Sequence, residues 1–133
     1  GELNKGWSVA KYLLTHEREM IGGMGSGAMR PAGDVAVQML GKDESGRLAD
    51  PFLRTDVVRM EIDGLAFMST MERVADEAKA GQGMGANSSV LKYYGTELNK
   101  RRLELMVDSA GQDGLEWGAD DDVAANWLRT KGN

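Results

Sequence analysis

The stretch DPFLRTDVVRMEIDGLAFMSTMERVADEAK, residues 50–79, decides the fold class of this chain. Asp50 is a good N-cap, and Pro51 occupies the first helical position, where its missing N–H costs nothing. The apolar and small residues then alternate spacings of four and three, which is a coiled-coil seam of roughly four heptads. The seam consists of Leu53, Val57, Met60, Gly64, Phe67, Met71, Val74 and Ala78. It predicts a long helix that packs lengthwise against other long helices.

Helical patterns on both sides of this stretch complete the chain. We predict a first helix at about residues 5–21, ended by the glycine pair that follows it, and a third at about 89–109. A last helix carries the apolar residues of 123–128, and the glycine-rich segment between the first two helices is compatible with a short helix at 35–40. Because no strand pattern is present, the predicted fold is an all-α, up-and-down four-helix bundle.

Composition narrows the function. The chain has 133 residues, enough for one domain, and 41% of them are hydrophobic. The net charge of −5, with no basic stripe, makes nucleic acid an unsuitable partner. No apolar run approaches the roughly 18 residues of a membrane span, and no secretory leader is present. The absence of cysteine agrees with a reducing compartment, so we expect a cytoplasmic protein.

A metal site is not expected. His16 precedes a glutamate, as in a two-histidine zinc motif, but residue 20 is Met20, and the chain has no other histidine. The acidic run 120–122 is interpreted as solvated charge at a helix start, where the helix dipole favours it.

Two arginines interrupt the apolar stripe of the third helix, which carries apolar residues on two sides and should lie between neighbours. Arg101 or Arg102 could pair with a buried acid of another helix, with Glu17 and Glu61 as candidates. The favoured interpretation is that the long stems cross apolar surface and reach water without such a pair.

Glu17 is the most unusual position of the first helix. At about 100° per residue it projects from the centre of an apolar arc. The arc consists of Trp7, Ala10, Leu13, Leu14, Met20 and Ile21. A carboxylate removed from water is costly unless it is paired or protonated. Glu17 is therefore either half of a structural ion pair or a catalytic base, and Arg18, at the edge of the arc, suits either arrangement.

Three groups of residues carry a family resemblance. They are NKGW at 4–7 with AKYLLTHER at 10–18, LK at 91–92 with GTEL at 95–98 and Arg101, and WLRTKGN at 127–133. In this order, and over nearly the whole chain, they resemble the C-terminal helical domain of a bacterial acyl-CoA dehydrogenase.

The resemblance implies a three-part oxidoreductase, in which an N-terminal helical domain and a central β-domain precede this bundle. FAD and an acyl-CoA thioester lie between the last two parts. A glutamate removes the α-proton, the β-hydride passes to the flavin, and trans-2-enoyl-CoA results. Residues 1–133 would then be the C-terminal bundle alone, inactive and without bound FAD. The parent enzyme would use an electron-transfer partner and form homo- or hetero-oligomers, and we expect the long seam to favour self-association.

The resemblance also assigns site residues. Many members carry the base just beyond the position of Asn133, but another group carries it on the first helix, immediately before an arginine. Glu17 and Arg18 match that placement, so Glu17 is the expected base and Arg18 the expected substrate contact. The usual flavin-contacting arginine and glutamine have no clear counterparts, and Arg54 is the expected replacement. Gly111 follows Ala110 in a turn that resembles the glycine pair beside the flavin diphosphate.

Two alternatives stay open. The chain could be the non-catalytic small subunit of a heteromeric dehydrogenase, in which the bundle serves assembly while the other chain does the chemistry. It could also be a helical interaction module with an accidental likeness to the family.

Overall fold

The computed structural model describes residues 2–24, 31–82, 85, 87–118 and 123–132, and within the first helix the side chains of residue 15 and residues 17–24 lie outside this description. The described residues form five α-helices and two short 3₁₀ turns, and their only β-type pairing is an isolated bridge between Lys42 and Leu48. The helices are α1 (Gly6–Met24), α2 (Ala32–Leu40), α3 (Pro51–Lys79), α4 (Asn87–Ala110) and α5 (Val123–Arg129). The predicted all-α helical bundle is confirmed.

Helix α3 begins where its local signals place it. The Asp50 side chain accepts hydrogen bonds from the backbone N–H groups of Phe52 and Leu53 at 2.8 and 3.0 Å. These bonds satisfy two of the N–H groups that a helix start leaves without an internal partner. The cap and the proline at the first position therefore fix this boundary without help from the rest of the fold.

The seam of α3 packs inside the chain. Val57, Met60 and Val74 are buried, whereas Ala78 is exposed, so the packed part of the seam ends one turn before its predicted end. Its partners are α2 and α4. The chain's own helices therefore cover the packed part of the seam, and self-association of the chain stays a prediction.

Helix α4 is the central element, in contact with α1, α2, α3 and α5. Its Leu98 forms a buried cluster with Ala32 of α2 and Met60 of α3. Phe67 and Leu105 pack against that cluster. The prediction that the third helix lies between neighbours is confirmed.

Two boundaries differ from the sequence prediction. Helix α1 continues through Gly22 and Gly23 to Met24, so the predicted stop at these glycines is wrong. Glycine lowers helix stability by about 1 kcal/mol relative to alanine but does not prevent helix formation. Helix α2 starts at Ala32, three residues earlier than predicted, and buries Ala32, Val35 and Ala36.

Gly95 lets α3 and α4 approach closely. A Cβ atom at this position would lie 2.8 Å from Cζ of Phe67, closer than such contacts normally come. The Phe67 ring also lies 5.9 Å, centroid to centroid, from the ring of Tyr94. Phe67 is therefore held between the backbone of α4 and a tyrosine ring.

We predict that Gly95→Ala destabilises the chain by about 1–3 kcal/mol, because the added methyl group must displace the packed Phe67 ring. Gly64→Ala is the matched control on α3, since a Cβ there would meet no atom within 4 Å. Its improved helix propensity should stabilise the chain by about 0.5–1 kcal/mol. Thermal unfolding followed by circular dichroism measures both, and equal shifts for the two variants would contradict the close contact.

Candidate functional site

The two residues with predicted catalytic roles lie on α1. The backbone of Glu17 and Arg18 is helical, but both side chains lie outside the described residues. The apolar surroundings predicted for Glu17 are thus untested, and its role stays a prediction. Helix α1 itself contacts α4.

The first turns of α1 leave their apolar stripe open. Trp7 is 69% exposed, Leu13 is 61% exposed and Leu14 is also exposed. An amphipathic helix ordinarily buries this stripe, and contiguous exposed apolar surface marks a place where another molecule or domain binds. Along the described part, the stripe that contains Glu17 is therefore largely open to solvent, with Ala10 as its half-buried member.

Glu61 of α3 is a carboxylate that joins three helices. Its Oε1 accepts the backbone N–H of Gly33 at 3.0 Å, in the first turn of α2. The N-cap of that helix is Pro31, which brings no side-chain acceptor of its own. Glu61 supplies the missing acceptor from a neighbouring helix, and its negative charge suits the positive end of the helix dipole.

The same carboxylate acts on α4. Burial lowers the pKa of the half-buried Arg102 guanidinium, and the charge of Glu61 works in the opposite direction. The sequence-based candidate Glu61 is thus an electrostatic partner of Arg102. A charged group that loses part of its hydration is stabilised by a nearby opposite charge.

Arg101 has a different partner. Its Nη2 lies 2.8 Å from Oδ2 of Asp63 on α3, and both side chains remain partly exposed. Arg101 reaches water, as the favoured interpretation predicts, and its partner is a partly exposed acid rather than the buried acid considered as the alternative. Asp63 lies one turn beyond Met60, at the edge of the α3 seam. This position in the sequence could have identified Asp63 as a candidate partner of Arg101.

An open groove of about 320 Å³ lies between α3 and α4. Met60 and Leu105 form its apolar part, and three carboxylates and two guanidinium groups surround them. The charged residues are Asp56, Arg59, Arg101, Glu104 and Asp108. Because both signs of charge are mixed along its walls, the groove has no single-sign field to select a charged ligand.

The two predicted flavin contacts lie at the same end of the bundle. Pairing of Asp63 with Arg101 and of Phe67 with Gly95 makes α3 and α4 antiparallel. The start of α3, with Arg54, is therefore beside the end of α4, with Gly111. The two residues that the resemblance selected as flavin contacts therefore lie in one region of the fold.

The two positions differ in how many contacts the chain itself already makes with them. Gly111 has a φ of +58°, and a Cβ built there would meet no atom within 4 Å, so a partner can approach its backbone closely. Its N–H, however, donates to the Val107 carbonyl at 3.0 Å. Arg54 donates from Nε and Nη2 to the Leu48 carbonyl and from Nη2 to Asp43, so two of its three side-chain nitrogens have partners inside the chain. Its role as a flavin contact stays a prediction.

The sequence analysis also predicted that the chain has no metal site and no membrane-spanning segment. Among the described residues, no group of three His, Cys, Asp or Glu side chains is placed to hold a metal ion, and residues 120–122 lie outside the description. Within the described helices, none combines the length and the apolarity needed to cross a membrane.

Comparison with known proteins identifies the family. A family model described as acyl-CoA dehydrogenase, C-terminal domain, matches residues 4–133. The chain therefore belongs to the acyl-CoA dehydrogenase family, and the likeness noted in its sequence is not accidental. Searches of curated proteins and of solved structures gave no significant match.

We predict that Glu61→Ala destabilises the chain by about 1–2 kcal/mol, because Gly33 loses its acceptor and Arg102 loses its opposite charge. Glu61→Gln keeps an acceptor oxygen and should cost less. Glu72→Gln, at an exposed position of the same helix, should change the stability by no more than about 0.5 kcal/mol. Urea unfolding measures the three variants, and a Glu61→Ala value equal to that of Glu72→Gln would refute the proposed junction.

Proposed function

We propose that this member of the acyl-CoA dehydrogenase family is the C-terminal part of a larger flavoprotein, which converts an acyl-CoA thioester to the trans-2-enoyl-CoA. The observation that carries the proposal is the match of residues 4–133 to the family's C-terminal domain. In this proposal the N-terminal helical domain and the central β-domain belong to the parent protein. Residues 1–133 alone are inactive and do not retain FAD.

The open stripe of α1 supports a covered position in the parent protein. Trp7, Leu13 and Leu14 together expose more apolar surface than a helix packed on its own bundle would leave. A second domain that packs on this side would bury them and enclose the position of Glu17. Burial in such a cleft would raise the pKa of the Glu17 carboxyl toward working pH, which suits proton abstraction.

Glu17 is the proposed base. Its carboxylate takes the α-proton of the thioester as the C–H bond breaks, and the electron pair of that bond becomes part of the new double bond. The family is generally FAD-dependent, and the flavin, when bound, accepts the hydride that leaves the β-carbon. Arg18, next in the chain, is proposed to hold the acyl-CoA, since a guanidinium group offers several donors in one plane.

The remaining partners follow from the same proposal. Gly111 is the proposed place of close approach to the flavin, because its left-handed turn is open on the Cα side. An electron-transfer partner would reoxidise the flavin.

Assembly into homo- or hetero-oligomers has a candidate surface on the outer side of α3, where Val58, Ile62 and Leu65 are exposed at helical spacing. The absence of cysteine supports a cytoplasmic location.

We predict that Glu17→Gln in the full-length protein retains flavin but lowers the rate of dehydrogenation by at least about 10²-fold, because the amide cannot accept the proton. Glu19→Gln is the control, since residue 19 falls on the other side of the helix at about 100° per residue. Bleaching of the flavin absorbance on addition of acyl-CoA, with detection of the enoyl product, measures the rate.

Unaltered turnover of Glu17→Gln would remove the catalytic assignment. The base would then lie elsewhere, or this chain would be the non-catalytic small subunit of a heteromeric enzyme. These two outcomes differ in the number of chain types that a denaturing gel of the purified, flavin-containing protein resolves: one for a homo-oligomer and two for a heteromeric enzyme.

A further inference from the structure

The loop between α2 and α3, residues 41–50, is a closed hairpin with its own backbone hydrogen bonds. The N–H of Asp43 donates to the Arg47 carbonyl at 2.7 Å, and the N–H of Gly46 donates to the Asp43 carbonyl at 2.9 Å. The N–H of Ala49 donates to the Gly41 carbonyl at 3.1 Å. Gly41 and Gly46 have φ values of +75° and +76°, a conformation that glycine adopts without strain.

Asp43 is the side chain around which this hairpin closes. Its Oδ1 accepts the backbone N–H groups of Ser45 and Arg47 at 2.9 and 3.0 Å. Its Oδ2 lies 3.0 Å from Nη2 of Arg54 and 3.4 Å from Nε of Arg47. These contacts, led by the backbone N–H of Arg47, lower the pKa of the Asp43 carboxyl, so the group is ionised at neutral pH.

Arg54 links the hairpin to α3. It lies in the first turn and a half of the helix, and its Nε and Nη2 donate to the carbonyl of Leu48 at 3.1 and 2.6 Å. Leu48 itself is buried against Ala36 and Val57. One guanidinium group therefore satisfies a backbone carbonyl and an aspartate on opposite sides of the hairpin turn. The side chain of Arg54 is 27% exposed, against 61% for that of Arg47.

We propose that Arg54 is a positioning residue: together with Asp43 it locks the 41–50 hairpin onto the start of α3. The hairpin is then a preformed element at the end of the bundle that also contains Gly111. Residues 42–54 carry three basic and three acidic side chains. The positive charge of Arg54 is thus balanced within the loop, and its contribution is geometric.

A lysine cannot replace this arginine. The planar guanidinium reaches two acceptors in fixed directions, whereas the ammonium group of lysine is a compact point charge on a flexible stem. Arg54→Lys should therefore fail to restore the lock although it keeps the charge. Arg59 is the matched control, because it is an exposed α3 arginine whose only described contact is Asp56 on its own helix.

The first test uses the 133-residue chain and does not depend on the proposed function. Hydrogen exchange is measured at the amides of Arg47 and Ala49 in Arg54→Gln, Arg54→Lys, Asp43→Asn and Arg59→Gln. We expect exchange at least about 10-fold faster in the first three and unchanged in the fourth. Unfolding midpoints of the single variants and of the Asp43→Asn/Arg54→Gln double variant should be non-additive, as for groups in contact. Additive midpoints with unchanged exchange would overturn the proposal.

The pH dependence gives a second readout. Since the folded-state pKa of Asp43 lies below its ordinary value, its stabilising contribution is present above about pH 4 and is lost as the pH falls through the lowered pKa. The charged groups that face Asp43 are Arg47 and Arg54. Loop protection should therefore weaken in acid in the unaltered chain but not in Asp43→Asn. Equal acid sensitivity in both would contradict the lock.

The third test separates a lock from a direct flavin contact and rests on the proposed function. In the full-length flavoprotein, Arg54→Gln and Asp43→Asn should change the ratio of bound FAD to protein by the same factor, because each breaks the same pair. Loss of FAD in Arg54→Gln with full retention in Asp43→Asn would instead assign Arg54 to the flavin and overturn the proposal.

Discussion

The carboxylate of Glu61 is the interaction on which the relative placement of three helices depends. It accepts the first-turn N–H of Gly33 from α2, and its charge partly offsets the effect of burial on Arg102 of α4. A partly exposed ion pair contributes little by itself. Its effect is larger here because the same oxygen also replaces the absent cap of α2, and an N–H left without a partner at a packed helix start is costly. The buried cluster of Ala32, Met60 and Leu98 joins the same three helices. Apolar packing and the hydrogen bond of Glu61 therefore favour the same placement of α2, α3 and α4.

Local signals explain which parts of the fold were predictable. The cap at Asp50 and the proline at Pro51 act within the first turn of α3, the seam repeats along the same helix, and α3 has the predicted bounds. The glycines of α1 were misread because a glycine permits a helix end without imposing one. The partner of Arg101 depends on the register between α3 and α4, which no periodicity within one helix contains. A carboxylate at the edge of a seam, such as Asp63, is the sequence feature that limits the possible partners of an arginine on the neighbouring helix.

The candidate site was predictable to a smaller extent. Glu17 and Arg18 were selected by an apolar arc and by a family resemblance, and the family is confirmed while their side-chain roles remain proposals. Arg54 was selected by the family resemblance, as the expected replacement for a flavin-contacting arginine. Its contacts with Asp43 and Leu48 follow from a hairpin whose closure depends on backbone conformation at two glycines. The resemblance selected two residues that share one end of the bundle, but the direction of a guanidinium group is decided by the nearest acceptors.

The antiparallel pairing of α3 and α4 has an electrostatic consequence for that end of the bundle. The positive end of one helix dipole lies beside the negative end of the other, so their fields largely cancel a few ångströms away. The adjacent hairpin carries three acidic and two basic side chains, and Arg54 at the start of α3 brings the net charge of this segment to zero. A charged molecule that approaches this surface would experience little attraction at long range. Its capture there would depend on shape and short-range contacts, and its rate of association would change little with ionic strength.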